Sequence, residues 1–142
     1  MKVTLEELKQ KPMPKHIAVI MDGNGRWAVS KGLARNAGHR VGVQALKNLI
    51  IALDELEIPY LTVYAFSTEN WKRPADEVNA LMELMIEFID KEIDYLDEKG
   101  VRVNPIGDIS RLSGKTYEKI VFAMEKTKNN SHIILNVADK LW

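Results

Sequence analysis

The chain has 142 residues, 46% of them hydrophobic, and its 20 basic and 20 acidic residues give a formal net charge of zero. This length suits one compact domain, so we predict a single domain over residues 1–142, and the neutral balance argues against nucleic acid as a partner. The sequence has no cysteine, which excludes disulfides, thiolate metal sites and a cysteine nucleophile. The charged N-terminal stretch is unlike a signal peptide, and no apolar run is long enough to span a membrane. We therefore expect a cytoplasmic protein.

Short β-branched runs alternate with segments of helical periodicity along the chain. In chain order, the predicted elements are a strand at 16–21, a helix at 41–56, a strand at 60–66, a helix from Pro74 to Gly100, a strand at 101–107, a helix at 116–127 and a strand at 132–138. This alternation predicts an α/β fold, a parallel β-sheet with flanking helices built from βαβ repeats. Ligands of such sheets bind beyond the carboxyl ends of the strands, where DGNGRW (22–27) and STENWKRP (67–74) follow the first two predicted strands.

The first of these loops has the composition of an anion site. Gly23 and Gly25 allow the backbone to approach a ligand closely, a helix beginning near Asn24 would direct free N–H groups at an anion, and Arg26 offers a bidentate fork for phosphate. Asp22 would repel a bare phosphate. It is explained either by Mg²⁺, which would bridge the carboxylate to a pyrophosphate, or by a cap on the following helix.

A nucleotide site is a weaker interpretation of the same glycines. Gly23, Gly25 and Ala28 satisfy a loose dinucleotide fingerprint. However, no Asp or Glu occurs between Gly23 and Leu53, so the acidic residue expected to bind the ribose is missing. A nucleotide-binding α/β protein therefore remains a disfavoured alternative.

Basic residues accumulate in this acid-free stretch, which predicts a local positive field facing an anionic ligand. They are Arg26, Lys31, Arg35, His39, Arg40 and Lys47. The alternative is a solvated helix face, and we expect Lys47, which lies further along the helix, to face water. Along the helix predicted to end at Gly100, Asp90, Asp94 and Asp97 are expected to form the wet side rather than a metal site.

The second loop combines hydroxyls, an amide and cations. Ser67, Thr68, Asn70 and Arg73 can bind phosphate oxygens, and Trp71 is expected to pack on a ligand or under the loop. The alternative is a turn and helix cap before Pro74.

HIAVIMDGNGRWA, GLARNAGHRVG, LTVYAFSTENWKRPADEV and IGDISRL closely resemble motifs of the cis-prenyltransferases, specifically the bacterial undecaprenyl diphosphate synthases, over His16 to Ala138. The resemblance implies a homodimeric, Mg²⁺-dependent enzyme that condenses isopentenyl diphosphate onto an allylic diphosphate such as farnesyl diphosphate. Its product would be an undecaprenyl-type lipid carrier for cell-wall glycans, which implies peripheral membrane contact through the lipid product.

The resemblance also implies a role for each loop residue. Asp22 would hold Mg²⁺ and assist departure of the allylic diphosphate, while Asn70 would position or deprotonate the incoming unit. The implied diphosphate ligands are Gly23, Asn24, Gly25, Arg26, Arg35 and His39, with Trp27 beside them. The implied second-loop residues are Ser67, Thr68 and Glu69, which would order that loop, and Trp71 and Arg73, which would complete the pocket.

The sequence departs from the family pattern after Ala138, where DKLW stands in place of a YGGR-like segment. The resemblance therefore covers the allylic half of the site and not the part that would hold isopentenyl diphosphate. From this we expect a truncated chain with an unpaired sheet edge, which binds an allylic diphosphate weakly and does not elongate it. The alternative function is a non-catalytic prenyl-diphosphate-binding or partner-binding module.

Overall fold

A computed structural model describes residues 4–20, 30–32, 35–67, 75–107, 112 and 114–141. The elements are α1 (Leu5–Lys9), β1 (His16–Ile20), α2 (Arg35–Leu56), β2 (Tyr60–Ser67), α3 (Ala75–Lys91), α4 (Ile93–Glu98), β3 (Val101–Ile106), α5 (Gly114–Thr127) and β4 (Ile133–Leu141). None of the helices in these ranges is long and apolar enough to cross a membrane.

The four strands form one parallel sheet in the order β1-β2-β4-β3. This arrangement confirms the predicted α/β fold. The last strand, β4, lies in the interior of the sheet between β2 and β3. Ile20 pairs with Tyr64 and Ser67 pairs with Leu141, so β2 and β4 continue past the carboxyl end of β1.

One face of the sheet forms the hydrophobic core. Side chains alternate along each strand, and the residues that point to this face include Leu61, Val63, Leu135, Val137, Val101 and Val103. They belong to a single buried cluster with apolar residues from α2, α3, α4 and α5, among them Ile50, Leu53, Met85, Ile89, Leu96 and Ile120. The helices therefore pack on this face, as their apolar periodicity predicts.

The opposite face carries a hydrogen-bonded row of polar side chains that crosses all four strands. Asn104 Nδ2 donates to Asn136 Oδ1 at 2.8 Å, and Asn136 Nδ2 donates to Thr62 Oγ1 at 3.1 Å. Thr62 Oγ1 also lies 2.6 Å from His16 Nε2. Since Thr62 is buried, this row satisfies a polar group that would otherwise be costly to remove from water.

The outer edge of β3 is closed by side chains. Thr127, at the end of α5, is fully buried; its Oγ1 accepts a hydrogen bond from Val103 N at 2.9 Å and donates one to Ala123 O at 2.7 Å. Asn130 Nδ2 donates to Val101 O at 3.0 Å. Val103 N and Val101 O therefore have side-chain partners, which hinders pairing of this edge strand with another chain at these two positions.

The three largest differences between the predicted and the observed helices are as follows. The helix predicted to begin at residue 41 begins at Arg35, because the apolar periodicity used to find it starts only after its first two turns. The helix predicted to run to Gly100 is two helices, α3 and α4, separated at Glu92 (φ −101°, ψ 13°). A short helix that was not predicted, α1, is capped by Thr4, whose Oγ1 accepts from Glu7 N at 3.1 Å.

Candidate functional site

The candidate site lies at the carboxyl edge of β1 and β2. These two strands are adjacent and parallel, so their carboxyl ends, after which the next segments of the sequence follow, lie at the same edge of the sheet. Residues 21–34 connect β1 to α2, and residues 68–74 connect β2 to α3. We call these two segments the rim segments. The predicted proximity of the two loop motifs thus rests on direct pairing of the strands that precede them.

The structure places the backbone of three predicted site residues. Ser67 is the last residue of β2, Arg35 is the first residue of α2, and His39 lies one turn further along α2. The other predicted site residues lie outside the described residues: Asp22, Gly23, Asn24, Gly25, Arg26, Trp27, Thr68, Glu69, Asn70, Trp71 and Arg73. Their roles stay predictions.

Both helices that leave the rim segments begin at this edge. α2 starts at Arg35 and α3 at Ala75. The first N–H groups of an α-helix have no partner within the helix and carry partial positive charge, so helix N-termini favour anions. The backbone alone therefore gives this edge of the sheet a positive character that suits a phosphorylated ligand.

Lys47 does not face water as expected. Its Nζ lies 3.0 Å from Glu92 Oε2, and the two side chains are only 35% and 21% exposed. The same Nζ lies 5.4 Å from the centre of the Tyr95 ring, within the range of a cation–π contact. Lys47 thus connects α2 to the break between α3 and α4. Sequence spacing could not reveal this contact, since the partners belong to different helices.

The acidic residues near this break have structural partners, not metal-site geometry. Asp94 lies on the exposed side and pairs with Lys126 Nζ at 3.0 Å. Asp97 Oδ1 accepts a hydrogen bond from Asn130 Nδ2 at 2.8 Å. Among the residues that the structure describes, no group of three or more His, Asp or Glu side chains could hold a metal ion.

A second polar cluster, missed by the sequence analysis, lies at the amino edge of the sheet. His132 Nε2 is 2.8 Å from Asp54 Oδ1, and Lys99 Nζ is 3.8 Å from Asp54 Oδ2. His132 directly precedes β4, so this cluster lies at the end of the sheet opposite to the candidate site. It joins the last turns of α2 to the turn at Gly100, whose O accepts from His132 N at 3.0 Å.

A family profile described as "Putative undecaprenyl diphosphate synthase" matches residues 20–140. The chain belongs to this family. An isoprenyl transferase of Clostridium perfringens is 59% identical over 126 residues, which are 89% of this chain and 50% of that protein. A ditrans,polycis-undecaprenyl-diphosphate synthase of Shewanella oneidensis, specific for (2E,6E)-farnesyl diphosphate, is 50% identical over 134 residues, which are 94% of this chain and 49% of that protein. The chain spans about half the length of the curated relatives it matches.

Solved structures show the same fold. Lavandulyl diphosphate synthase from Lavandula x intermedia, in complex with dimethylallyl diphosphate, aligns with a TM-score of 0.77 and 31% identity over 88% of this chain and 54% of that chain. A probable undecaprenyl diphosphate synthase from Campylobacter jejuni aligns with a TM-score of 0.64 and 37% identity over 90% of this chain and 55% of that chain. These alignments confirm the cis-prenyltransferase-type fold that the motifs predict.

Proposed function

We propose that this chain provides the allylic-diphosphate site of a cis-prenyltransferase. The reaction would condense isopentenyl diphosphate onto farnesyl diphosphate and make an undecaprenyl-type polyprenyl diphosphate, the lipid carrier for cell-wall glycans. The observation that supports it is the direct parallel pairing of β1 with β2, because the strand ends that precede the DGNGRW and STENWKRP motifs then lie at one edge of the sheet. The names of the relatives support the same reaction class.

The diphosphate would be held by the first rim segment and the start of α2. Arg26 and Arg35 can each donate two parallel hydrogen bonds to phosphate oxygens, and His39 can add a third donor. The N-terminus of α2 at Arg35 adds partial positive charge. These donors would be in place before ionisation, so they would stabilise the charge that develops on the leaving diphosphate.

Mg²⁺ suits the donor that the first rim segment provides. β1 ends at Ile20, so the carboxylate of Asp22 follows the end of a strand at the candidate site, and carboxylate oxygens are the ligands that Mg²⁺ prefers. The ion would supply charge neutralisation at the departing diphosphate. Gly23, Asn24 and Gly25 would bind the diphosphate through the backbone, with Trp27 beside them.

The second rim segment would act on the incoming unit. Asn70 would position or deprotonate isopentenyl diphosphate, and Trp71 and Arg73 would complete the pocket. Ser67, Thr68 and Glu69 would order the segment over the substrate. We further propose a single domain, a cytoplasmic homodimer, and peripheral contact with membranes through the lipid product.

A single-turnover experiment tests the proposal. The chain at high concentration is mixed with farnesyl diphosphate and Mg²⁺, and then with labelled isopentenyl diphosphate. We expect farnesyl diphosphate to bind and ATP, the control ligand, not to bind. Labelled chain-lengthened lipid would show that the chain is itself an enzyme, whereas binding without product would favour a prenyl-diphosphate-binding module. Failure to bind farnesyl diphosphate would contradict the proposal.

A further inference from the structure

The face of the sheet opposite the core exposes large apolar side chains. We call it the second face; it is the face that carries the polar row. Because side chains alternate along a strand, Ile20, Tyr60 and Ile106 point to the second face, and they are 41%, 46% and 45% exposed. They are three of the six exposed large apolar side chains in the part of the chain that the structure describes. Such a concentration on one face is typical of an interaction surface.

An apolar strip crosses the second face next to the polar row. Ile20 pairs with Tyr64 in the sheet register. Ala138 pairs with Tyr64 on one side and with Ile106 on the other. Neighbouring strands lie about 4.8 Å apart, so the strip is roughly 14 Å wide, which is close to the length of about three turns of an α-helix. The strip therefore suits the apolar face of an amphipathic helix laid across the strands.

The polar row beside the strip does not oppose burial of the second face. Asn104 donates to Asn136, and Asn136 donates to Thr62. Polar groups that already have partners within the chain can be covered by another polypeptide at a smaller cost than unpaired ones. The row can therefore lie beneath a covering layer as it stands.

Two observations indicate what covers the second face. Parallel sheets occur almost only with both faces covered. The solved structures with this fold contain more of it, since a little under half of each chain lies outside the alignment. A second copy of this chain fits less well. The described residues of the second face include Arg102 and no Asp or Glu, so two such faces offer each other no opposite charges.

The two edges of the sheet also differ. At the edge formed by β3, Val103 N and Val101 O have side-chain partners. At the other edge, no strand in the described part of the chain pairs with the outer side of β1. An edge strand presents backbone N–H and C=O groups to which another strand can bind. A polypeptide that covers the second face can therefore also extend the sheet beside β1.

We propose that the second face and the outer edge of β1 form a docking surface for the remainder of the family fold, bound as a separate polypeptide. By the remainder we mean the part of the relatives that lies outside their alignment with this chain. It would add a strand beside β1 and lay an amphipathic helix along the apolar strip. This inference rests on the sheet and its register, and it does not depend on the proposed allylic-diphosphate site.

Co-expression tests the proposal. The probe is the part of the Clostridium perfringens isoprenyl transferase that lies outside its alignment with this chain, and light scattering gives the stoichiometry. We expect a one-to-one complex. Tyr60→Lys and Ile106→Lys should each weaken it at least about tenfold, because they place a charge within an apolar interface. Phe122→Lys is the matched control and should bind like wild type, since Phe122 is 53% exposed but lies on α5.

Amide hydrogen exchange gives a second readout. In the complex, exchange should slow more in β1 than in β3, because only β1 gains a neighbouring strand. Circular dichroism checks that the variants are folded, and Tyr60→Ser and Ile106→Ser replace any lysine variant that is not. A complex that none of these substitutions weakens would overturn the proposal, and so would the absence of a complex. Self-association of the chain alone, abolished by Tyr60→Lys and Ile106→Lys, would identify a second copy as the occupant and would also overturn it.

Discussion

Thr127 should be one of the most sensitive buried polar positions of the fold. Its hydroxyl accepts from Val103 N and donates to Ala123 O, and the residue has no exposed surface. Thr127→Val keeps the shape of the side chain but leaves the Val103 N–H without an acceptor. An unsatisfied buried donor costs about 1–3 kcal/mol. Ala123 O loses only one of two available donors, since Thr127 N can still reach it within the helix.

Urea unfolding should therefore show a lower midpoint with an unchanged slope, because the surface exposed on unfolding does not change. Thr127→Ser is the control, since it keeps both hydrogen bonds and loses about 0.8 kcal/mol with one buried methyl group. Amide hydrogen exchange separates the two variants. Protection of the Val103 amide should fall in Thr127→Val relative to its neighbours and persist in Thr127→Ser. Equal protection of Val103 in wild type and Thr127→Val would refute the argument that this side chain closes the edge of β3.

Four further substitutions are expected to change either the stability of the fold or the binding of farnesyl diphosphate. Gly100→Ala should destabilise the fold by about 1–3 kcal/mol in urea unfolding, because Gly100 has a φ of +74° and an added Cβ would lie 2.9 Å from His132 Cβ; wild-type stability would contradict this. Glu57 has a φ of 57°, a left-handed conformation that glycine adopts more easily than residues with a side chain. Glu57→Gly should therefore raise the free energy of unfolding by up to about 1 kcal/mol. A clear loss of stability would contradict this expectation. Arg26→Ala should weaken farnesyl diphosphate binding on the order of 1.5–3 kcal/mol, and Arg35→Ala should act in the same direction; titrations in which neither variant differs from wild type would remove both residues from the site.

Local patterns in the sequence were sufficient to predict most of the elements. The β-branched runs predicted all four strands of the described sheet, because valine and isoleucine are enriched in strands that pack a face on a core. The position of β4 between β2 and β3 could not be predicted from those runs, since it depends on how the helices pack. The ion pair of Lys47 with Glu92 escaped prediction for a similar reason, because the two residues lie on different helices.

The polar row on the face opposite the core left a signal in the sequence that could have been used. Thr62, Asn104 and Asn136 are polar residues that follow apolar residues within their strands, and the sheet register places them side by side. For the candidate site, the sequence predicted which two segments meet, and the pairing of β1 with β2 supports that prediction. The contacts of Asp22, Arg26 and Asn70 lie outside the described residues and await experiment.

The central claim is that the rim segments form a Mg²⁺-assisted site for an allylic diphosphate, with Asp22 as the metal ligand. Titration of farnesyl diphosphate with and without Mg²⁺, in the wild-type chain and in Asp22→Asn, tests it most directly. Without Mg²⁺ the variant should bind at least as well as wild type, because a negative charge that repels the diphosphate has been removed. Adding Mg²⁺ should increase the affinity of the wild type for farnesyl diphosphate and change the affinity of the variant little. Circular dichroism is the control and should show that both chains are equally folded. An equal gain from Mg²⁺ in both chains would contradict the role of Asp22, and no binding by the wild type would contradict the site itself.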